Sequence, residues 1–210
     1  MINLREAALL VAERAHRNQT YDIFPYIYHP KQVMHIAIML GFDEAIIIAC
    51  ILHDVIEDTD LSYNNIKKTF GEEIAEIVFA VTDELGRNRK ERKEKTYPKI
   101  RANWKATAVK VCDRIANIGH SKVYNKDMIK MYRKEHNNFV NELYVNEHPK
   151  DVRKAWNLLE KVFEEKVEFK ILNFKKDYIL GHPYDSKPTK IDTLPKDDIE
   201  QIKDDLRETP

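Results

Sequence analysis

Residues 53–58, His-Asp-Val-Ile-Glu-Asp, place one imidazole and three carboxylates after the almost wholly apolar run 45–52. We expect this run and the motif to form one buried helix, in which residues three and four positions apart share a face. Glu57 then lies close to both His53 and Asp54. Concentrating so much negative charge beside a core is costly unless a cation offsets it. The motif therefore predicts a divalent metal site.

A metal site needs ligands from more than one segment, and two further residues stand out. His29 lies just before Pro30, at the start of a predicted helix. Asp113 lies in the otherwise apolar stretch 108–118, where an unpaired carboxylate would be expensive. The resulting set of candidate ligands is His29, His53, Asp54 and Asp113. Nitrogen and oxygen donors without thiolate suit Mn²⁺, Fe²⁺ or Zn²⁺ with open positions for water, better than a closed structural zinc site.

Such a metal lowers the pKa of bound water from about 15.7 to about 7. Glu57 and Asp58 then remain as carboxylates outside the ligand set, able to accept a proton and to orient the attacking water. The ligands also have ordinary structural explanations: a His before a proline is usually a surface turn, a His-Asp dipeptide is common by chance, and Asp113 could pair with Lys110 or Arg114 or cap something. The order and spacing of the whole set nevertheless favour a metal-dependent hydrolase.

Composition narrows the class of protein. The 210 residues carry no formal net charge, with a pI near 7.1, so neither nucleic acid nor an anionic membrane is an expected partner. No apolar stretch is long enough to span a membrane, and the N-terminus does not read as a secretion signal, so we expect a cytoplasmic protein. Cys50 and Cys112 lie in apolar helical runs, where buried free thiols are expected rather than a disulfide.

With five glycines and long 3.6-residue apolar periodicity, the chain reads as all-α. We expect Asp43 and Ser62 to cap helices, Pro30 to occupy a first helical position and Gly41 to end a helix. The expected helices cover 4–17, 30–40, the stretch through the motif, 63–70, 72–82, 105–120, 127–144 and 149–165.

Two units of different character are expected. Residues 1–165 form the helical domain, and residues 166–210 form a short mixed appendage of unknown role. The appendage would hold short strands near 169–172 and 178–181 and a final helix near 196–207. Its apolar residues could pack on the core or on a second subunit, so a homo-oligomer is possible.

Four segments resemble one known family. They are 12–19, 25–30, 53–59 and 109–117, with weaker similarity through 156–160. On these segments the chain resembles the HD-domain phosphohydrolases, and among them the (p)ppGpp (alarmone) hydrolase domain of RelA/SpoT enzymes and its small stand-alone relatives. The similarity covers about the first 165 residues.

The resemblance implies an HD-domain helical bundle holding one Mn²⁺ on His29, His53, Asp54 and Asp113. Glu57 and Asp58 would be the catalytic carboxylate pair, and Asn117 would contact the sugar or a phosphate of the substrate. The implied reaction removes pyrophosphate from the ribose 3′ position of guanosine tetra- or pentaphosphate, a step in the stringent response.

The link 20–24 departs from the family, which has a basic pair and a glycine there. Tyr21 or Phe24 could stack on a base instead, so the sequence does not determine which base the substrate carries. An HD hydrolase acting on an adenosine alarmone, on the 2′-phosphate of NADPH or on another nucleotide is the alternative. A catalytically silent nucleotide sensor or partner-binding module is the third reading.

The basic run 87–95 also has two readings. It could be a mobile clamp for phosphates, or a solvated charged helix in which Glu91 and Glu94 balance the cations. Under the first reading Arg87 and Lys90 are candidate substrate contacts. Lys110, outside the run, is a further candidate contact.

Overall fold

A computed structural model describes residues 3–164 of the chain. Helices and one short hairpin follow one another in this part. The elements are α1 (Leu4–Ala15), β1 (Thr20–Tyr21), β2 (Phe24–Pro25), α2 (Tyr28–Leu40), α3 (Glu44–Leu52), α4 (Val55–Asp58), α5 (Tyr63–Phe70), α6 (Glu72–Val81), α7 (Arg89–Ala102), α8 (Trp104–Tyr124), α9 (Lys126–Leu143) and α10 (Lys150–Phe163). The all-α prediction is confirmed.

Local sequence signals begin and end these helices. The side chains of Asn3, Asp43 and Ser62 each accept a hydrogen bond from the backbone N–H three residues on, which caps α1, α3 and α5. Gly41 ends α2 in the left-handed conformation, with φ +80°, where a residue with a Cβ would be strained. The predicted caps at Asp43 and Ser62 and the predicted stop at Gly41 are confirmed.

α3 and α8 form the centre of the bundle. α8 packs against α2, α3, α6, α7, α9 and α10, and α3 is buried from Ile46 through Leu52, as expected for a helix that is apolar on all sides. Cys50 of α3 and Cys112 of α8 meet thiol to thiol inside this contact, fully buried and not joined by a disulfide. Both cysteines are buried free thiols, as predicted.

The prediction of a single helix through the motif is wrong. α3 ends at Leu52, and the chain resumes as the four-residue α4 only at Val55. His53 Nδ1 lies 2.9 Å from the Cys50 carbonyl oxygen, so a side chain takes an acceptor of the last helical turn. A side chain that enters the backbone ladder in this way interrupts a helix. The interruption places His53 and Asp54 at a junction between two helices.

The link before α2 also differs from expectation. It contains the antiparallel pair β1–β2, with Tyr21 opposite Phe24, and Asp22 makes the tight turn with φ +59°. α2 begins at Tyr28, so Pro30 is its third residue rather than its first. The other predicted boundaries either agree with the structure, as at both ends of α5, or differ from it by up to four residues, the most at the end of α8.

The expected strands 169–172 and 178–181 and the expected helix 196–207 lie outside the described residues. The division at residue 165 therefore stays a prediction. Among residues 3–164, no helix combines the length and the apolar character that crossing a membrane would require.

Candidate metal centre and active site

Three segments bring the four candidate ligands to one point. His29 comes from the first turn of α2, His53 and Asp54 from the α3–α4 junction, and Asp113 from the middle of α8. His29 Nε2 lies 3.2 Å from both His53 Nε2 and Asp113 Oδ1. Asp54 Oδ2 lies 3.0 Å from His53 Nε2 and 3.8 Å from His29 Nε2. The ligand atoms of His29, His53 and Asp113 all fall within 4.8 Å of one another, a spacing that could hold a metal ion.

The hydrogen-bonding chemistry at this point fits a cation. Because the Cys50 carbonyl can only accept, His53 Nδ1 is the donor in their contact, and His53 Nε2 turns its lone pair to the centre. Its neighbours there, Asp54 Oδ2 and Asp113 Oδ1, are carboxylate oxygens. Burial disfavours the charged form of His53, but these carboxylates outweigh it and raise its pKa to about 9. The same carboxylates would favour a metal cation at this point.

Three residues predicted to contact the substrate also support the ligands. Lys110 Nζ lies 3.2 Å from Asp113 Oδ2, and Asn117 donates a hydrogen bond to Asp113 Oδ1. The Tyr21 hydroxyl donates to Asn117 Oδ1 at 2.7 Å, and its ring stacks on His29 with centroids 4.6 Å apart. Burial works against the Asp113 carboxylate, but the Lys110 charge holds the pKa of Asp113 well below its usual range.

The carboxylates of α4 lie beside the ligands and have separate partners. Glu57 Oε2 accepts a hydrogen bond from the Asp83 backbone N–H at 3.0 Å. The Tyr26 hydroxyl lies 2.7 Å from Asp54 Oδ2 and 3.2 Å from Asp58 Oδ2, joining a ligand to a neighbouring carboxylate. Burial raises the pKa of both Glu57 and Asp58. A raised carboxyl pKa brings a proton acceptor closer to neutral pH, where general bases work best.

A cleft of about 700 Å³, its solvent-open mouth included, opens on this centre. Cations from α7 and α8 line it: Arg89, Arg92, Lys93, Lys110 and Arg114. Glu135 of α9 fixes two of them, with its carboxylate 2.6 Å from Arg89 Nε and 3.3 Å from Arg114 Nη1. The cleft therefore joins a candidate metal centre to a wall that suits several phosphate groups.

The cations of the basic run divide differently from the prediction. The side chains of Arg87 and Lys90 are 90% and 86% exposed, lie outside the cleft lining and pair with glutamates four residues on. Arg89, Arg92 and Lys93 line the cleft instead. These three recur at the spacing of one helical face, a signal present in the sequence that a count of charges misses.

The two aromatic rings of the link pack against other rings. Phe24 is buried against Tyr28, with stacked centroids 4.3 Å apart, so its predicted stacking role is wrong. The Tyr21 ring stacks on His29 and also contacts His120, whose ring centroid is 4.4 Å away, and it lines the cleft. The sequence analysis also missed Asp83, which lies between α6 and α7 and donates to Glu57, and Glu135 of α9, which pairs with Arg89 and Arg114. Their contacts arise from helix packing, which leaves no local pattern in the sequence.

Comparison with known proteins identifies the family. A family model described as "HD domain" matches residues 8–139. A guanosine-3′,5′-bis(diphosphate) 3′-pyrophosphohydrolase of Aquifex aeolicus is 35% identical over 116 residues, which cover 53% of this chain and 16% of that protein. The MESH1 guanosine-3′,5′-bis(diphosphate) 3′-pyrophosphohydrolase of Danio rerio is 34% identical over 121 residues, which cover 55% of this chain and 67% of that protein.

The fold agrees with this relationship. The solved structure of a metazoan ortholog of SpoT that hydrolyses ppGpp superposes with a TM-score of 0.64 and 24% identity, covering 79% of this chain and 97% of that one. The chain nevertheless spans less than a fifth of the Aquifex relative, which is a much longer protein. The chain belongs to the HD-domain family and is related to its guanosine-3′,5′-bis(diphosphate) 3′-pyrophosphohydrolases.

Proposed function

We propose that this protein is a metal-dependent phosphohydrolase that removes pyrophosphate from the 3′ position of a guanosine alarmone, (p)ppGpp. The observation that carries the proposal is the convergence of His29, His53, Asp54 and Asp113 at the floor of a cation-lined cleft. The activity named for the Aquifex and Danio relatives supports the choice of reaction.

In this proposal the four converging side chains hold one Mn²⁺, and Zn²⁺ or Fe²⁺ would suit the same nitrogen and oxygen donors. When bound, the metal would supply a Lewis acid that stabilises charge on phosphoryl oxygens and makes water more acidic. Glu57 and Asp58 accept the proton of the attacking water and orient it. The Tyr26 hydroxyl lies within hydrogen-bonding distance of the carboxylates of both Asp54 and Asp58 and holds the two groups side by side.

The remaining contacts concern binding. A substrate with phosphates at the 3′ and 5′ positions of the ribose carries several negative charges, which are neutralised within the cleft by Arg89, Arg92, Lys110 and Arg114. Asn117 and Tyr21 lie at the edge of the ligand cluster, where they orient the sugar or a phosphate. We assign the reaction to the cytoplasm, because the two free buried cysteines suit a reducing compartment.

The test is an assay of the purified protein with Mn²⁺, Zn²⁺ or Fe²⁺ against a nucleotide panel, with products separated by chromatography. Pyrophosphate release from the guanosine alarmone, abolished in Asp113→Ala, supports the proposal. Release of inorganic phosphate from ordinary nucleotides, with the alarmone untouched, contradicts it. Tight alarmone binding without turnover would instead identify a nucleotide sensor.

One observation favours a second candidate, an HD hydrolase of another nucleotide. The link 20–24 offers no cation, Phe24 is buried and the Tyr21 ring packs against His29 and His120, so the basic pair that flanks guanine in the guanosine alarmone hydrolases has no counterpart in this link. Preferred turnover of an adenosine alarmone or of the NADPH 2′-phosphate in the same panel would establish this candidate.

A further inference from the structure

The segment between α6 and α7 is fastened by a buried ion pair. Asp83 is the second residue after the last one of α6, and its side chain is 5% exposed. Lys93, one turn into α7, places Nζ 2.9 Å from both carboxylate oxygens of Asp83, and its own side chain is 11% exposed. Two of the three ammonium hydrogens of Lys93 are thus directed at one carboxylate.

The same residue holds a candidate catalytic group. The backbone N–H of Asp83 donates to Glu57 Oε2 at 3.0 Å. Of the described residues, Asp83 alone donates a hydrogen bond to the Glu57 side chain. This bond occupies Oε2 and leaves Oε1 to accept a proton. A chain of contacts therefore runs from Lys93 through Asp83 to Glu57.

We propose that Lys93 and Asp83 form a positioning pair that orients Glu57, with Lys93 acting through Asp83 rather than on a phosphate of the substrate. The inference rests on the proposed hydrolase function, in which Glu57 accepts a proton. A base held in one orientation reacts faster than one that samples several, because a productive geometry is already formed when the substrate binds.

The competing role for Lys93 is phosphate binding, because its side chain also lines the cleft. Loss of a uniform binding contact raises KM and leaves kcat unchanged, whereas loss of an orientation needed in the transition state lowers kcat. The two roles therefore predict different kinetics for the same substitution.

The loop should stay folded when Lys93 is replaced, since other contacts hold it to α7. The Glu84 backbone N–H donates to Thr96 Oγ1 at 2.8 Å, and Lys99 Nζ lies 2.7 Å from a Glu84 carboxylate oxygen. Arg92 Nε lies 3.8 Å from Asp83 Oδ2, farther than Lys93 Nζ, and is a second cationic partner of this carboxylate. Loss of the closer Lys93 contact should therefore loosen the Asp83 amide without unfolding α7.

The experiment compares Lys93→Met, Lys93→Arg and a matched control, Lys130→Met. Lys130 makes an ion pair of the same 2.9 Å length with Asp127, but its side chain is 74% exposed and the pair lies outside the cleft lining. Two quantities are measured on the full chain: kcat and KM for the guanosine alarmone, and the hydrogen-exchange rate of the Asp83 amide.

We expect Lys93→Met to lower kcat by about 10–100-fold, less than the loss of about 10²–10⁴-fold when a general base is removed outright, because Glu57 is still present. KM should change by less than about threefold. Exchange at Asp83 should accelerate by about tenfold or more as the segment opens. Lys93→Arg keeps the charge and should restore most of both values, and Lys130→Met should match the wild type.

A rise in KM at unchanged kcat would overturn the positioning role, and so would unchanged exchange at Asp83 in Lys93→Met. The exchange measurement needs no turnover. If the wild-type chain hydrolyses no alarmone, the proposed function fails, and the catalytic role of the pair fails with it even if exchange shows that Lys93 fastens Asp83.

Discussion

Replacing Asp113 with alanine removes a side chain that has two partners of different kinds. Asp113 Oδ1 faces the candidate metal centre, 3.2 Å from His29 Nε2, and Oδ2 lies 3.2 Å from Lys110 Nζ. The Lys110 side chain is only 11% exposed. The substitution should therefore remove a metal ligand and also leave a buried ammonium without its nearest carboxylate.

The two losses have separable magnitudes. Removing one partner of a buried ion pair costs about 3–5 kcal/mol of unfolding free energy. A metal present at 100 times its Kd stabilises the native state by about 2.7 kcal/mol, which the variant should no longer gain. With metal present, Asp113→Ala should therefore lie about 6–8 kcal/mol below the wild type. That is a large part of the roughly 5–15 kcal/mol that a domain of this size has.

Urea unfolding with and without Mn²⁺ measures both parts. The double variant Lys110→Met/Asp113→Ala removes both charges, so it should recover most of the metal-independent loss and none of the metal-dependent gain. Asp127→Ala is the control, since this carboxylate is 88% exposed and paired with Lys130, and it should leave the unfolding midpoint nearly unchanged. If Mn²⁺ stabilises Asp113→Ala as much as it stabilises the wild type, Asp113 is not a ligand and the reasoning fails.

Three further outcomes are expected. Glu57→Gln should bind metal at wild-type stoichiometry by elemental analysis but lower kcat by about 10²–10⁴-fold; unchanged turnover would exclude Glu57 as the base. Burial, then the Lys110 charge, lowers the pKa of Lys93 to about 8 against the attraction of Asp83. Lys93 is thus charged below that pH and neutral above it, so kcat should fall as the pH rises through about 8. Lys93→Arg should move this fall to higher pH, and an identical pH profile in the two proteins would contradict the role of the Lys93 charge. Gly41→Ala should lower the free energy of unfolding in urea by about 1–2 kcal/mol, because alanine is strained at φ +80°. The added Cβ meets no atom within 4 Å, so backbone strain is the whole effect, and an unchanged unfolding midpoint would refute this.

The ligand set could be selected from the sequence because its members carry their own signals. His53 and Asp54 follow an apolar run, and Asp113 interrupts another. His53 and Asp113 are buried, where a polar side chain is costly unless it has a partner. Only the distances required a structure. The helix caps at Asp43 and Ser62 were predictable for a similar reason, since capping depends on a single residue and its near neighbours.

The features that escaped prediction depend on contacts between elements. The break between α3 and α4 follows from a side-chain bond of His53 to the Cys50 carbonyl, which apolar periodicity does not report. The choice between Lys90 and Lys93 as a cleft cation depends on which face of α7 turns toward α8 and α9. The sequence of the run gives the number of cations, whereas the packing of α7 against α8 and α9 decides which of them face the cleft.

The paired thiols at the α3–α8 contact give the protein an intrinsic reporter of local opening. Cys50 and Cys112 are the two cysteines of the whole sequence, both at 0% exposure, and each adjoins the ligand cluster: the Cys50 carbonyl orients His53, and Cys112 precedes Asp113. An alkylating reagent can reach them only when these two helices separate. The rate of alkylation therefore reads out how often the floor of the cleft comes apart, in the unaltered chain and without an introduced label.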